Sequence, residues 1–141
     1  MSLGVPQGSN LGPFLFLIFR NDIVDTVTSS SILLYADDIK FFLPVEGTND
    51  MEALQKDLDE MAQWSKKKHL PFNVGKCEKI TFTRKTKNEF HASYKINQTA
   101  LKTTELVKDL GVFIDKKMTF DPHINQLICK VERNMGFILC N

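Results

Sequence analysis

Two adjacent acids, Asp37 and Asp38, lie between two short apolar runs, residues 31–36 and 39–43. Each run is rich in Ile, Leu or Phe, and two such runs predict a β-hairpin with its turn at the acids. Aspartate tolerates the positive φ of a tight turn better than most residues. Successive carboxylates at a turn can approach one cation, and Mg²⁺ prefers a few such oxygen ligands completed by water and phosphate. The alternative is a pair of merely solvated acids, the usual state of polar turn residues.

Other residue types offer weaker candidates for chemistry. The three cysteines, Cys77, Cys129 and Cys140, are widely spaced and fit neither a disulfide framework nor a C-x₂-C zinc pattern. The three histidines are equally scattered. No apolar run reaches the length of about 18 residues needed to span a bilayer, and the first residues lack the charged start of a secretory signal. We therefore expect an intracellular protein, nuclear or cytoplasmic, without a membrane partner.

Charge is divided unevenly along the 141 residues, although the net charge is only +1. Residues 1–65 hold three basic and ten acidic side chains, a net charge of −7, whereas residues 66–141 hold fifteen basic and seven acidic ones, a net charge of +8. Such asymmetry indicates contact of the second half with a polyanion. Two ordinary solvated faces are the alternative.

Periodicity predicts the elements that must position the acids. Ser9 or Asn10 should cap a helix that runs toward Asp22 and is buried, because it is apolar nearly all round. A second, amphipathic helix has its N-cap at Asn49 or Asp50. Its apolar face includes five positions at spacings of three and four, with several acids, Asp57 among them, on or near the other face; the five are Met51, Leu54, Leu58, Met61 and Ser65. On this helix we expect Trp64 to pack in the core.

The second half predicts short strands and a final helix. The tail of residues 70–82 alternates like a strand, and further short strands are expected around 93–96 and 106–114. Asp121 and Pro122 are a typical N-cap and first helical residue. The helix that follows carries an apolar stripe, which must bury against this sheet or against helices outside the chain; its members are Ile124, Leu127, Ile128, Val131, Met135 and Ile138.

A family resemblance joins these motifs. Residues 4–13, Gly-Val-Pro-Gln-Gly-Ser-Asn-Leu-Gly-Pro, and the apolar run after them precede Tyr35-Ala36-Asp37-Asp38. The first block resembles the segment that precedes the Tyr-x-Asp-Asp box of reverse transcriptases, and residues 35–38 resemble the box itself, particularly as found in non-LTR, LINE-like or jockey-type retrotransposons. A further likeness near Leu110-Gly111 extends it over nearly the whole chain. The resemblance implies an α+β fold, a partial polymerase palm in which a hairpin sheet packs on helices and runs into the start of a thumb.

The resemblance also implies domains and partners. Residues 1–105 would be the carboxyl part of the palm, and residues 106–141 a primer-grip-like hairpin with the first thumb-like helix. The partners would be an RNA template, a DNA primer and a deoxynucleotide, with Mg²⁺ or Mn²⁺ as cofactor. In such enzymes two metal ions, held by carboxylates, stabilise the attacking and leaving oxygens. The oligomeric state stays open.

Individual roles follow from the same resemblance. Asp37 would ligate metal directly, while Asp38 would support the metal cluster or contact the primer end. The nucleotide and template pocket would be lined by Gln7, Gly8, Tyr35 and Ala36.

Two further roles belong to the second half. Lys76 would stabilise or protonate the departing pyrophosphate, the alternative being one exposed lysine among many. Leu110 and Gly111 would form the primer grip, although Gly111 could instead mark a bulge.

One departure from the family pattern limits the expected activity. Reverse transcriptases carry a further metal-binding aspartate on a strand well before the Pro-Gln-Gly segment, and here only three residues precede Gly4. We therefore expect an amino-terminally truncated fragment of an RNA-directed DNA polymerase that is inactive or nearly so by itself. The alternatives are a noncatalytic nucleic-acid-binding remnant that uses the basic second half, and a folding relic without a partner.

Overall fold

The computed structural model describes residues 9–83 and 92–139, and these divide into two compact units. Residues 9–73 and 92–100 form the first unit, and residues 74–83 and 101–139 form the second. Both combine helices with two-stranded sheets, which confirms the predicted α+β class. The described elements are, in chain order, α1 (Gly12–Arg20), a 3₁₀ helix (Asn21–Thr26), β1 (Ser31–Tyr35), β2 (Asp38–Phe42), α2 (Thr48–Lys67), a second 3₁₀ helix (Val74–Lys76), β3 (Glu78–Lys79), β4 (Lys95–Ile96), β5 (Thr99–Ala100), β6 (Lys102–Thr103), β7 (Leu106–Asp109), β8 (Val112–Asp115) and α3 (Asp121–Leu139).

The core of the first unit lies between α2, the first 3₁₀ helix and one face of the β1–β2 hairpin. Ile23, Met61 and Trp64 are buried at its centre. Partly buried apolar residues surround them, namely Val27, Ile32, Leu34, Ile39, Phe41, Leu70 and Phe72. Trp64 thus packs in the core as predicted, and its indole N–H donates to Asp22 Oδ1 at 3.1 Å. Because apolar side chains of α2 meet those of the hairpin, the helix supports the hairpin from one side.

Helix α1 is not buried, contrary to the prediction from its composition. Its apolar residues from Phe14 to Phe19 are largely exposed, and Phe14 itself is 60% exposed. An all-round apolar pattern shows that a helix has surface to bury, but burial also requires partner elements. Among the described elements, α1 contacts chiefly the 3₁₀ helix that continues it. The N-cap residue of α1 is Leu11, and not Ser9 or Asn10 as predicted, although the Ser9 hydroxyl accepts a hydrogen bond from the Gly12 N–H at 2.9 Å.

Asp57 on α2 is buried, although the sequence predicted it on the polar side of the helix. Only 1% of the residue is exposed. Its Oδ1 accepts from the Thr28 N–H at 3.1 Å and from the Thr28 hydroxyl at 2.9 Å, and its Oδ2 accepts from the N–H groups of Ser29 at 2.9 Å and Ser30 at 2.8 Å. Burial raises the pKa of Asp57, but the backbone N–H groups outweigh it and lower the pKa to about 2. The charged carboxylate is therefore a structural part of this unit.

Gln55 links β4 to α2 through both polar atoms of its side-chain amide. Its Nε2 donates to the Lys95 carbonyl at 2.9 Å, and its Oε1 accepts from the Lys95 N–H at 2.9 Å. We expect Gln55→Ala to lower the free energy of unfolding by about 1 kcal/mol, because two backbone groups of an edge strand lose their partner. Urea unfolding would measure the change. Gln63→Ala, at an exposed position of the same helix, is the control, and an equal loss in both variants would contradict this assignment.

The second unit contains one parallel and one antiparallel strand pair. β3 runs parallel to β6, and β7 pairs with β8. Asp115, at the end of β8, accepts hydrogen bonds from the backbone N–H groups of Lys117, Thr119 and Phe120 and so shapes the turn into α3. Helix α3 begins at Asp121 with Pro122 in its first turn. Its predicted apolar stripe is exposed along the described helix, because β8 is the main element that contacts it.

The helices within residues 9–83 and 92–139 were compared with the requirements of a membrane span. None of the described helices combines the length and the apolar content needed to cross a bilayer.

Candidate functional site

The β1–β2 hairpin carries the acids, and its register differs by one residue from the prediction. Tyr35 pairs with Asp38, so the two-residue turn consists of Ala36 and Asp37, and Asp38 begins β2. The positive φ falls on Ala36, at +45°, and not on an aspartate. The hairpin is confirmed, but a turn at Asp37-Asp38 is wrong. The register follows from cross-strand pairing of apolar residues, which a one-residue slip would turn away from the core.

The two faces of the hairpin have different surroundings. Ile32 pairs with Phe41 and Leu34 with Ile39, and these four residues pack against the core. Tyr35 lies on the other face and is 60% exposed. Residues directly opposite in an antiparallel pair share a face.

Asp38 therefore shares the open face with Tyr35, and Asp37 stands at the exposed tip. The structure thus brings four of the predicted site residues together on one hairpin: Tyr35, Ala36, Asp37 and Asp38.

The acid pair offers part of a divalent-metal site. Asp37 and Asp38 are exposed, and their carboxylate oxygens are suitable ligands for a hard cation. However, the described residues contain no group of three or more His, Cys, Asp or Glu side chains that could hold a metal ion. Two carboxylates leave the repulsion between two divalent ions poorly compensated. The pair alone therefore does not fit a two-ion site.

Three predicted residues belong to the second unit. Lys76 is exposed and ends the second 3₁₀ helix. Asp109 pairs with Val112, which leaves Leu110 and Gly111 as the two-residue turn of the β7–β8 hairpin. Their φ angles are +46° and +92°, so Gly111 lies in a tight turn rather than in a bulge.

The roles predicted for Lys76, Leu110 and Gly111 stay predictions. Gln7 and Gly8 lie outside the described residues, and their proposed part in the nucleotide and template pocket also stays a prediction.

Sequence reasoning missed the contribution of Asp57. Its carboxylate holds Thr28, Ser29 and Ser30, the three residues before β1. A signal was present, because Asp57 precedes Met61 by four residues and Trp64 by seven and so shares their helical face. A lone acid on an otherwise apolar face must find hydrogen-bond donors when it is buried.

Comparison with known proteins now identifies the family. Residues 1–121 match the family described as reverse transcriptase (RNA-dependent DNA polymerase). The chain belongs to the reverse transcriptase family. Reverse transcriptases act with divalent metal ions on a nucleic-acid template and primer, which agrees with the two acids on the open hairpin. No solved structure gives a significant match to this reverse transcriptase segment.

The similar proteins come from mobile elements of flies. The segment is 38% identical over 135 residues to the RNA-directed DNA polymerase from mobile element jockey of Drosophila funebris. This alignment covers 88% of this chain and 14% of that protein. It is 33% identical over 132 residues to the probable RNA-directed DNA polymerase from transposon BS of Drosophila melanogaster, covering 88% of this chain and 15% of that protein. The chain thus spans only about one seventh of the length of these curated relatives.

Proposed function

We propose that this chain is the carboxyl part of the palm, with the start of the thumb, of an RNA-directed DNA polymerase from a non-LTR retrotransposon. The observation that carries the proposal is the hairpin, whose one face packs on the core while the other presents Tyr35 and Asp38, with Asp37 at the tip. The likeness to mobile-element polymerases over most of the chain supports it.

In the intact polymerase, Asp37 is a direct ligand for Mg²⁺, and Asp38 supports the metal cluster or contacts the primer end. The remaining ligands come from parts of the polymerase that this segment does not contain. When bound, the divalent ion supplies charge neutralisation at the phosphate oxygens. Ala36 keeps the turn free of bulk beside the nucleic acid, and Tyr35 borders the primer.

The hairpin contributes by holding its acids in place before substrate arrives. Its inner face is fixed by packing, so little reorganisation is needed when primer and nucleotide bind. Gln7 and Gly8 line the nucleotide and template pocket in this proposal. Lys76 offers positive charge and N–H donors to the leaving pyrophosphate.

Leu110 provides a test of the proposed primer grip. A leucine at positive φ is strained, and Asn-Gly is the pair that such hairpin turns favour. Leu110 is 57% exposed, so its side chain is accessible to a bound duplex. We expect Leu110→Asn to raise the free energy of unfolding by about 1 kcal/mol while it weakens binding to a primer–template duplex. Urea unfolding and salt-dependent duplex binding would measure the two effects.

Met118→Asn is the matched control for this variant. Met118 also has a positive φ, of +56°, and is 48% exposed, but it lies outside the hairpin turn. The control should gain stability without losing duplex affinity. Equal affinity losses in both variants would contradict a primer grip at Leu110.

A chimaera tests the proposed polymerase function. This chain would replace the matching segment of the Drosophila funebris jockey polymerase, and primer extension on an RNA template would be measured with Mg²⁺. We expect extension at about one tenth of the parental rate or better. Misplacing catalytic groups by about 1 Å costs about 100-fold, so a rate in this range means that the segment places its acids to better than about 1 Å. A folded chimaera that binds the duplex but does not extend it would favour a noncatalytic nucleic-acid-binding remnant instead.

A further inference from the structure

We propose that Asp57 is a positioning residue for the acids of the β1–β2 hairpin, because its carboxylate fixes the chain where it enters β1. The consequence for catalysis rests on the function proposed above, whereas the anchoring itself does not. No motif singled out in the sequence includes Asp57, and it lies on α2, outside the hairpin that it holds.

The anchor consists of consecutive donors on one carboxylate. The N–H groups of Thr28, Ser29 and Ser30 and the Thr28 hydroxyl all donate to Asp57, at distances from 2.8 to 3.1 Å. An ionised carboxylate has about four acceptor sites, so these donors saturate it. The next residue, Ser31, is the first residue of β1. The anchor therefore lies at the start of the strand that leads to the acids.

The hairpin needs such an anchor because it is a sheet of two strands only in the described part of the chain. An isolated two-stranded hairpin is marginally stable in water and gains order from packing or from fixed ends. Packing of Ile32 and Leu34 on the core holds its inner face. The Asp57 carboxylate adds directional bonds, which fix the position of the strand along its own axis, a coordinate that apolar contacts constrain weakly.

The chemistry of the site explains why an acid is required. All the described partners of the Asp57 oxygens are donors, and each oxygen accepts from two of them, so an asparagine would direct its own NH₂ group at two donors. Asp57→Asn therefore keeps the size of the side chain and breaks half of the anchor. Gln55→Ala, two residues earlier on the same helix, removes a comparable clamp that holds β4 instead of β1.

Hydrogen exchange on the full chain would separate anchoring from general stabilisation. In Asp57→Asn, we expect the amides of β1 and β2 to exchange about tenfold faster relative to those of α2, because half of the anchoring hydrogen bonds are lost. In Gln55→Ala, the relative protection of the hairpin should be unchanged. If Asp57→Asn lowered the exchange protection of the hairpin amides and of the α2 amides equally, the proposal would be overturned. If that variant does not fold, Thr28→Val, which removes only the hydroxyl donor, decides by the same comparison with a smaller expected effect.

A second readout concerns the acids themselves. Mn²⁺ broadens the resonances of nearby amides, and in Asp57→Asn the apparent affinity of the hairpin for Mn²⁺ should fall about tenfold, as for partners that orient metal ligands. Unchanged affinity with faster hairpin exchange would overturn the positioning role. If Mn²⁺ does not bind the hairpin of the unsubstituted chain, the metal-binding role proposed for Asp37 and Asp38 in this segment fails, and hydrogen exchange judges whether Asp57 anchors β1.

Discussion

Asp37→Asn should lower primer extension by the chimaeric polymerase about 1,000-fold, the largest effect expected of any substitution in this chain. A metal ion contributes several kcal/mol to transition-state stabilisation in phosphoryl transfer, and about 4 kcal/mol corresponds to this factor. The amide that replaces the carboxylate keeps its size but loses the negative charge that attracts the cation. Single-turnover extension with Mg²⁺ would measure the rate of the chemical step.

Glu60→Gln is the control for this experiment. Glu60 is an exposed acid of α2 in the same unit, so its loss changes the net charge equally. It should leave extension within about twofold of the unsubstituted chimaera, as expected for a surface charge that is screened by salt. A similar decrease in both variants would show that net charge, and not metal ligation by Asp37, limits the rate.

Acidification should remove about 2 kcal/mol of stability through Asp57 alone. The pKa of this carboxyl is about 2 in the folded chain, compared with 3.8 ordinarily. Because the fold favours the charged form, the contribution is complete above about pH 4 and is lost as the pH falls through 2. A shift of this size corresponds to about 2 kcal/mol.

Urea unfolding between pH 2 and pH 7 would measure this loss. Other carboxyl groups, Asp22, Glu105 and Asp115, also have lowered pKa values, so the informative quantity is the difference between the unsubstituted chain and Asp57→Asn. At neutral pH we expect this variant to be less stable by about 3 kcal/mol, since a charged, buried acceptor is lost. The difference should shrink toward pH 2. A difference that does not depend on pH would contradict the role of the charge.

The elements that could be predicted from the sequence are those whose apolar spacing determines them. The alternation on both sides of Asp37-Asp38 predicts the hairpin, and the spacing of Leu58 and Met61 predicts α2. The turn was misplaced by one residue because it was inferred from the chemistry of aspartate. The register depends instead on which side chains meet the core, so the strained position fell on Ala36.

Two other features were beyond a single-sequence prediction for different physical reasons. The composition of α1 indicates how much apolar surface the helix has, but not whether another element covers that surface. In this structure Phe14 and its neighbours are exposed. Hydropathy assigns every acid to the surface. Asp57 violates that rule because its donors come from Thr28 to Ser30, which are distant in sequence and become neighbours only in the fold.

Binding of Mn²⁺ to this chain, followed by broadening of its amide resonances, tests most directly whether the hairpin is a metal-binding corner of a polymerase site. We predict that broadening is strongest from Tyr35 to Ile39 and disappears when Asp37 and Asp38 are both replaced by asparagine. Broadening centred on other acids, or unaffected by that double substitution, would contradict the account.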